Sequence, residues 1–220
     1  MTNPPKLWSK EYKQKGIPSS FRQKPSGAMK LLSIANLKGK TIADLGCGKG
    51  RNTFYLIKNG ASKVYAIDFV PEAIREIKSA KNPKITAVCR DLAKPWPIPS
   101  DSLNLTIDIF CFKHQASLKN QEFYKSEIER TLKKKGLLLL DLAAVDDGFY
   151  GIQPKKEIKP NVYKITDPVT GVNSLLYTKE SLLTEFPNFE LLDFTNDKKE
   201  GQMHGQTYSR STLKFLLKKN

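Results

Sequence analysis

Thr41-Ile42-Ala43-Asp44-Leu45-Gly46-Cys47-Gly48-Lys49-Gly50-Arg51-Asn52 is the stretch on which the fold turns. A short apolar strand enters a Gly-x-Gly-x-Gly turn, and a helical pattern follows over residues 51–59. Side chains at the glycine positions would fill the space a ligand needs against the backbone. The helix behind the turn directs its first N–H groups toward that ligand. Dinucleotide enzymes also use a glycine-rich turn after a strand, but two details differ here. The glycines stand at 46, 48 and 50, not at the one-then-two spacing of the dinucleotide fingerprint. Asp44 also precedes the turn, and a carboxylate there suits a cationic ammonium and repels a pyrophosphate.

Outward from this turn, short apolar runs alternate with helical patterns. Val64–Ile67 and Ile85–Val88 read as strands, Pro71–Lys81 as a helix with proline in its first turn. Leu103–Phe112 is a fourth strand, Leu118–Lys133 a helix, and Gly136–Ala144 a strand apolar enough to be covered on both faces. The order predicts a doubly wound α/β sheet. After Ala144 the rhythm breaks. Val162–Thr166 and Ser174–Thr178 predict a hairpin, Thr178–Phe186 a helix, and Phe189–Thr195 with Thr207–Leu217 a closing antiparallel pair. Upstream, Ala28–Ala35 has a helical apolar face. The opening residues carry Trp8, Tyr12 and Phe21, too aromatic for a free tail. The expected organisation is one domain over 1–220, with 1–27 as an N-terminal lid and 146–178 as a substrate-side insertion.

Two further acids stand at strand ends. Asp68 closes the second strand, where a carboxylate can take both hydroxyls of a ribose. Asp91 follows the third and can accept from an adenine amino group, with Phe69 and Leu92 as apolar neighbours. Each alone also reads as a solvated loop carboxylate. Together behind the glycine turn, from about Ile42 to Ala143, they resemble the class I S-adenosylmethionine-dependent methyltransferases. Asp44, Gly46, Gly48 and Gly50 match the glycine-loop motif, Asp68 the ribose acid and Asp91 the adenine-side acid. The chain departs from the pattern at Leu103-Asn104, where Phe-Asp is usual, and at Lys134-Lys135, where Pro-Gly is common. Trp8-Ser9-Lys10-Glu11-Tyr12 and Phe112-Lys113-His114 also resemble the small tellurite- and thiopurine-modifying branch.

The resemblance implies a Rossmann-like sheet of seven strands, mostly parallel with the last antiparallel, and helices on both faces. It implies S-adenosylmethionine as cofactor, with Asp44, Gly46, Cys47, Gly48, Gly50, Asn52, Asp68, Phe69, Asp91, Leu92 and Phe110 as the cofactor-binding candidates. The acceptor should approach the carboxyl ends of strands four and five. There His114 is the candidate base by its usual pKa, although it also reads as a surface or capping histidine. Tyr150 is the second catalytic candidate, in Asp146-Asp147-Gly148-Phe149-Tyr150. That run can hold a cationic amine among aromatics or be a solvated turn. Cys111 reads as a small buried hydrophobe.

The formal net charge is +15, from 37 basic and 22 acidic residues. Thirty-one of the basic residues are lysines and six arginines, scattered in short runs. This composition describes a solvated surface better than the arginine-rich face of base or phosphate recognition, and leaves an anionic partner as the alternative. Cys47, Cys89 and Cys111 cannot all pair and lack metal-ligand spacing, which suits a reducing cytoplasm. The longest apolar run, Gly136–Val145, is too short to cross a bilayer and contains Asp141. The chain has no Asp/Asn-Pro-Pro-Tyr or Pro-Cys motif of nucleic-acid methyltransferases after the fourth strand, and no magnesium-type cluster. A small-molecule acceptor is therefore expected, with an RNA or protein acceptor and a non-catalytic cofactor-binding module as alternatives.

Overall fold

The computed structural model describes residues 4–14 and 24–220. Its elements are α1 (Pro4–Gln14), a 3-10 helix (Gly27–Ile34), β1 (Thr41–Leu45), α2 (Arg51–Lys58), β2 (Lys63–Asp68), α3 (Pro71–Ser79), β3 (Ile85–Cys89) and β4 (Leu103–Ile109). A one-turn 3-10 segment (Phe112–His114), α4 (Leu118–Thr131) and β5 (Leu132–Ala143) follow. The chain then forms β6 (Lys155–Lys159), β7 (Val162–Thr166), β8 (Asn173–Tyr177), α5 (Lys179–Glu185), β9 (Phe189–Met203) and β10 (Gln206–Lys219).

Seven strands form one sheet in the order β3-β2-β1-β4-β5-β10-β9, and β6-β7-β8 form a second, antiparallel sheet. The first five strands are parallel, and β10 runs antiparallel between β5 and β9. This is the expected Rossmann-like sheet with its last strand antiparallel. Strand side chains alternate between the faces. Leu138, Leu140 and Leu142 of β5 pack with Tyr124 and Ile128 of α4 and Leu182 of α5. Leu139, with Ile42, Leu105 and Ile107, packs with Leu56 of α2 and the 3-10 helix. Helices therefore cover both faces, as expected.

Several expected boundaries move, each for a local reason. The stretch near Ala28–Ala35 is a 3-10 helix capped by Ser26, whose Oγ accepts from the Ala28 N–H at 3.2 Å. β4 stops at Ile109, short of Phe112, because the Asp108 carboxylate accepts from the Cys111 and Phe112 N–H groups and turns the chain. α4 ends at Thr131, and β5 begins at once with a register shift opposite Leu103–Leu105. The expected hairpin gains a third strand, β6. β9 and β10 are 15 and 14 residues long, well beyond Phe189–Thr195 and Thr207–Leu217. They form a ribbon closed by His204-Gly205, both at positive φ, the backbone a two-residue hairpin turn requires.

Candidate functional site

The carboxyl edge of the sheet holds two adjoining cavities, of about 420 and 400 Å³. Trp8, Ile109, Phe110 and His114 line both, so the end of β4 forms the seam between them. Phe110 sits there at φ 65°, a left-handed backbone that a bulky residue adopts at a cost of about 1–3 kcal/mol. Its N–H donates to the Asp141 carbonyl at 2.7 Å, and the Asp108 carboxylate fixes the next two residues. Asp108 Oδ2 also accepts from the Tyr124 hydroxyl at 2.5 Å. Buried acceptance of these bonds makes Asp108 the anchor of the seam, a role its place inside a predicted strand does not suggest.

Six of the sequence-derived cofactor candidates line the first cavity: Gly46, Asp68, Phe69, Asp91, Leu92 and Phe110. Leu7, Trp8 and Tyr12 of α1 face them. The Asp68 carboxylate accepts from the Gly48 N–H and the Val70 N–H, each at 2.9 Å, which ties the glycine turn to β2. Burial raises its pKa, and those N–H bonds pull it back. Asp91 is exposed and accepts from the Ala93 N–H at 2.9 Å. Gly46 and Gly48 have φ of 66° and 53°. A Cβ on Gly46 would come within 2.7 Å of the Cys111 side chain, and one on Gly48 would overlap the Tyr12 hydroxyl. The turn is thus packed between α1 and the β4 seam.

The remaining candidates lie behind the cavity wall. Asp44 is buried under the turn, with Oδ2 accepting from Thr53 Oγ1 at 2.6 Å. Burial raises its pKa to about 7, against the Thr53 hydrogen bond and the Arg51 charge. Cys47 packs with Ile74 and Ile77, and Gly50 begins α2 against Ile77 and Phe54. The Asn52 side chain turns to Ser26, accepting its N–H at 2.9 Å.

His114 Nδ1 lies 3.1 Å from the Asn173 carbonyl and 3.1 Å from Ser174 Oγ. A carbonyl can only accept, which places the ring proton on Nδ1. Burial, with the charge of Lys113, lowers the His114 pKa to about 3, so the near-neutral pKa that recommended it as a base is lost. Tyr150 is buried on the second cavity, its ring face 3.3 Å from Lys113 Nζ.

The acidic run before Tyr150 does not offer its charges to a cationic amine. Asp146 pairs with Lys198 at 2.7 Å. Asp147 is fully buried and caps its own turn through the Phe149 and Tyr150 N–H groups. Its other oxygen accepts from Arg210 Nε at 2.8 Å and the Ser211 N–H at 3.0 Å. The second cavity is basic instead, lined by Lys24, Arg51, Lys199, Arg210 and Lys214, with Asp141 as its carboxylate. Alternation along the ribbon builds this wall, since Arg210, Thr212 and Lys214 share one face of β10. That period-2 pattern is the signal by which sequence could have found it. Phe21 of the predicted lid lies outside the described residues.

Residues 42–136 match the methyltransferase domain family. No curated protein matches the chain. Solved structures of similar fold include an S-adenosylmethionine-dependent methyltransferase from Methanosarcina mazei, at 18% identity and TM-score 0.68, covering 89% of this chain and 98% of that one. Another, from Mesorhizobium loti, has 16% identity and TM-score 0.66, over 88% and 99%. A third is the 1,6-didemethyltoxoflavin-N1-methyltransferase of Burkholderia thailandensis, with 15% identity and TM-score 0.67, over 100% and 92%. The likeness to these structures is one of fold. With the methyltransferase-domain match over the glycine turn and the strands behind it, the sheet order is the fold these S-adenosylmethionine-dependent methyltransferases share.

Proposed function

We propose that this protein transfers a methyl group to an N, O or S atom of a small-molecule acceptor, with the cofactor in the first cavity and the acceptor in the second. The observation that carries this reading is the seam: two cavities of small-molecule size meet at Ile109 and Phe110. In-line transfer needs two reactants held on opposite sides of such a junction. Trp8 of α1 reaches both cavities, which favours an enclosed small molecule over an RNA or protein surface. The related Burkholderia enzyme was solved with 1,6-didemethyltoxoflavin and S-adenosylhomocysteine bound.

The cofactor supplies a methyl group already activated by its sulfonium, so the chain's work is to hold, orient and exclude water. The residues on the first cavity fit it. Asp68 is assigned the ribose hydroxyls, Asp91 the adenine amino group, and Phe69 and Leu92 the adenine faces. The Gly46–Gly48 backbone and Phe110 are assigned the methionine side. Asp44 acts from below the turn; an ammonium above it favours the ionised carboxylate. Cys47, Gly50 and Asn52 support the turn from behind. His114, neutral with its proton on Nδ1, serves as a wall and hydrogen-bonding partner, and Tyr150 as an aromatic wall of the acceptor side.

Calorimetry with S-adenosylmethionine, S-adenosylhomocysteine and NAD tests the assignment. The first two should bind and NAD should not. Asp68→Ala should weaken both by about 2–3 kcal/mol through lost charge-assisted hydrogen bonds. Absence of heat with either ligand, or an unchanged affinity in the variant, would refute it.

A further inference from the structure

The basic lining of the second cavity exceeds what methyl transfer requires. We infer that this cavity takes an acceptor bearing a carboxylate or phosphate at its β9–β10 end, with the methyl-accepting N–H or O–H toward the Asp141 carboxylate. The inference rests on the methyl-transfer reading above and names its substrate class.

The charge count points one way. Five cations line the cavity, and Asp141 is the one carboxylate in its wall. Two more acids stand outside that wall, Asp147 holding Arg210 and Asp197 holding Lys199 and Lys214. Lys24, Lys199, Arg210 and Lys214 alone outnumber these three acids among the described residues. The anchoring also orients them. Asp147 takes Arg210 at Nε, and the terminal amino groups of that nine-tenths-buried guanidinium make no hydrogen bond among the described residues. Such a fork matches the paired oxygens of a carboxylate or phosphate. Lys24 is exposed at the rim and forms no ion pair among the described residues.

The opposite end of the cavity asks for a donor. Asp141 lies between Ile109 of β4 and Lys214 of β10 in strand register. It is buried, its Oδ2 accepts from Ser26 Oγ at 2.9 Å, and its Oδ1 has no partner among the described residues. Asp141 lines the cavity, and a buried carboxylate oxygen without a donor is rare. Burial raises the Asp141 pKa to about 6, with Lys214 the largest opposing influence, so the group is mainly ionised at neutral pH and can take a proton. In the transfer, the acceptor atom bonds the methyl carbon and the carbon–sulfur bond breaks with its electron pair going to sulfur. The acceptor's proton passes to Asp141.

The test uses the full chain loaded with S-adenosylhomocysteine, titrated with phenyl phosphate and benzoate against phenol and benzamide at low salt. The anions should bind about ten-fold more tightly than their neutral counterparts. Lys24→Gln combined with Lys199→Gln, both at exposed positions, should lower that preference about three-fold, leaving the share carried by Arg210. Equal affinities, or a preference unchanged by the double substitution, would overturn the inference. In a second arm, the protein receives labelled methyl donor and a small-molecule extract. The product should be retained on an anion exchanger, and Asp141→Asn should lower its formation about 100-fold with homocysteine-product affinity unchanged. An unretained product or an undiminished rate would also overturn it. Failure of the methyl-transfer reading is separate: it appears as no binding of S-adenosylhomocysteine by the unaltered chain, on which the anion preference is still measurable.

Discussion

Lys113 is the residue whose burial is least compensated. Its side chain is fully buried, its Nζ has no hydrogen-bond partner among the described residues, and it rests on the Tyr150 ring. Burial lowers its pKa from 10.5 to about 7, with Asp147 opposing and Arg210 assisting. A base whose folded pKa is depressed contributes stability that is present above pH 10.5 and is lost as pH falls toward 7. Lys113→Met should remove that slope and raise stability at pH 7 by about 1–3 kcal/mol, because it deletes an unpaired buried cation. Urea unfolding at pH 7 and pH 10 measures both effects. A variant less stable at pH 7 would show that the contact with the Tyr150 ring outweighs desolvation. The buried acids work in the other direction. Asp44 is raised from 3.8 to about 7, and Asp108 and Asp141 to about 6, each chiefly by burial. Their contribution is complete below about pH 4 and is lost as pH rises through 6 to 7. Asp44→Asn should therefore flatten the decline of unfolding free energy between pH 4 and 7, and an unchanged slope would mean that Asp44 is not buried as described.

Elements that close locally were legible, and those completed by distant partners were not. The glycine turn, β1 to β3 and the helices between them follow from period, proline and glycine within short windows. Asp68, Asp91 and their apolar neighbours, read the same way at strand ends, come together on the first cavity. The outer halves of β9 and β10 escaped because Asn196–Gln202 carries no apolar residue on either face. β6 is a lysine-rich edge strand with little apolar signal. Of the second cavity only the β10 face has a local signal, since the rest of its wall joins residues near 25, 110 and 141. Helix α1 is the element with the most to test. Trp8 packs edge-on against His114 at 5.0 Å between centroids, and Tyr12 closes over Gly48. Removing residues 1–14 should weaken S-adenosylhomocysteine binding about ten-fold by exposing one wall of its cavity. Thermal unfolding should shift by only a few degrees, because the sheet core does not depend on α1. Hydrogen exchange should show α1 amides gaining protection when the ligand binds. Normal affinity after truncation would leave the helix as packing alone.

At the scale of the whole molecule, the +15 charge and the basic cavity need not have one cause. Most of the lysines are dispersed over the surface, and many are engaged with acids of the chain, as Lys125 and Lys159 are with Glu185. Dispersed lysines attract polyanions through counterion release, which is independent of sequence and falls steeply with salt. Cavity cations act differently: Arg210 and Lys214 are held by acids and about nine-tenths buried, so they bind at fixed geometry and are less screened. The two contributions separate in one experiment. Binding of a mixed-sequence RNA and of phenyl phosphate is followed from about 50 to 200 mM salt, across which a contact with several phosphates loses orders of magnitude in affinity. RNA affinity should be weak and should collapse over this range, with no preference among sequences. Phenyl phosphate, a single anion in an enclosed site, should lose only a few-fold. The Lys24→Gln, Lys199→Gln double variant should depress the second and barely alter the first, since it removes two of many surface charges. RNA bound in the nanomolar range at physiological salt would instead place the acceptor on a nucleic acid, and the enclosed cavity would then have to open to receive it.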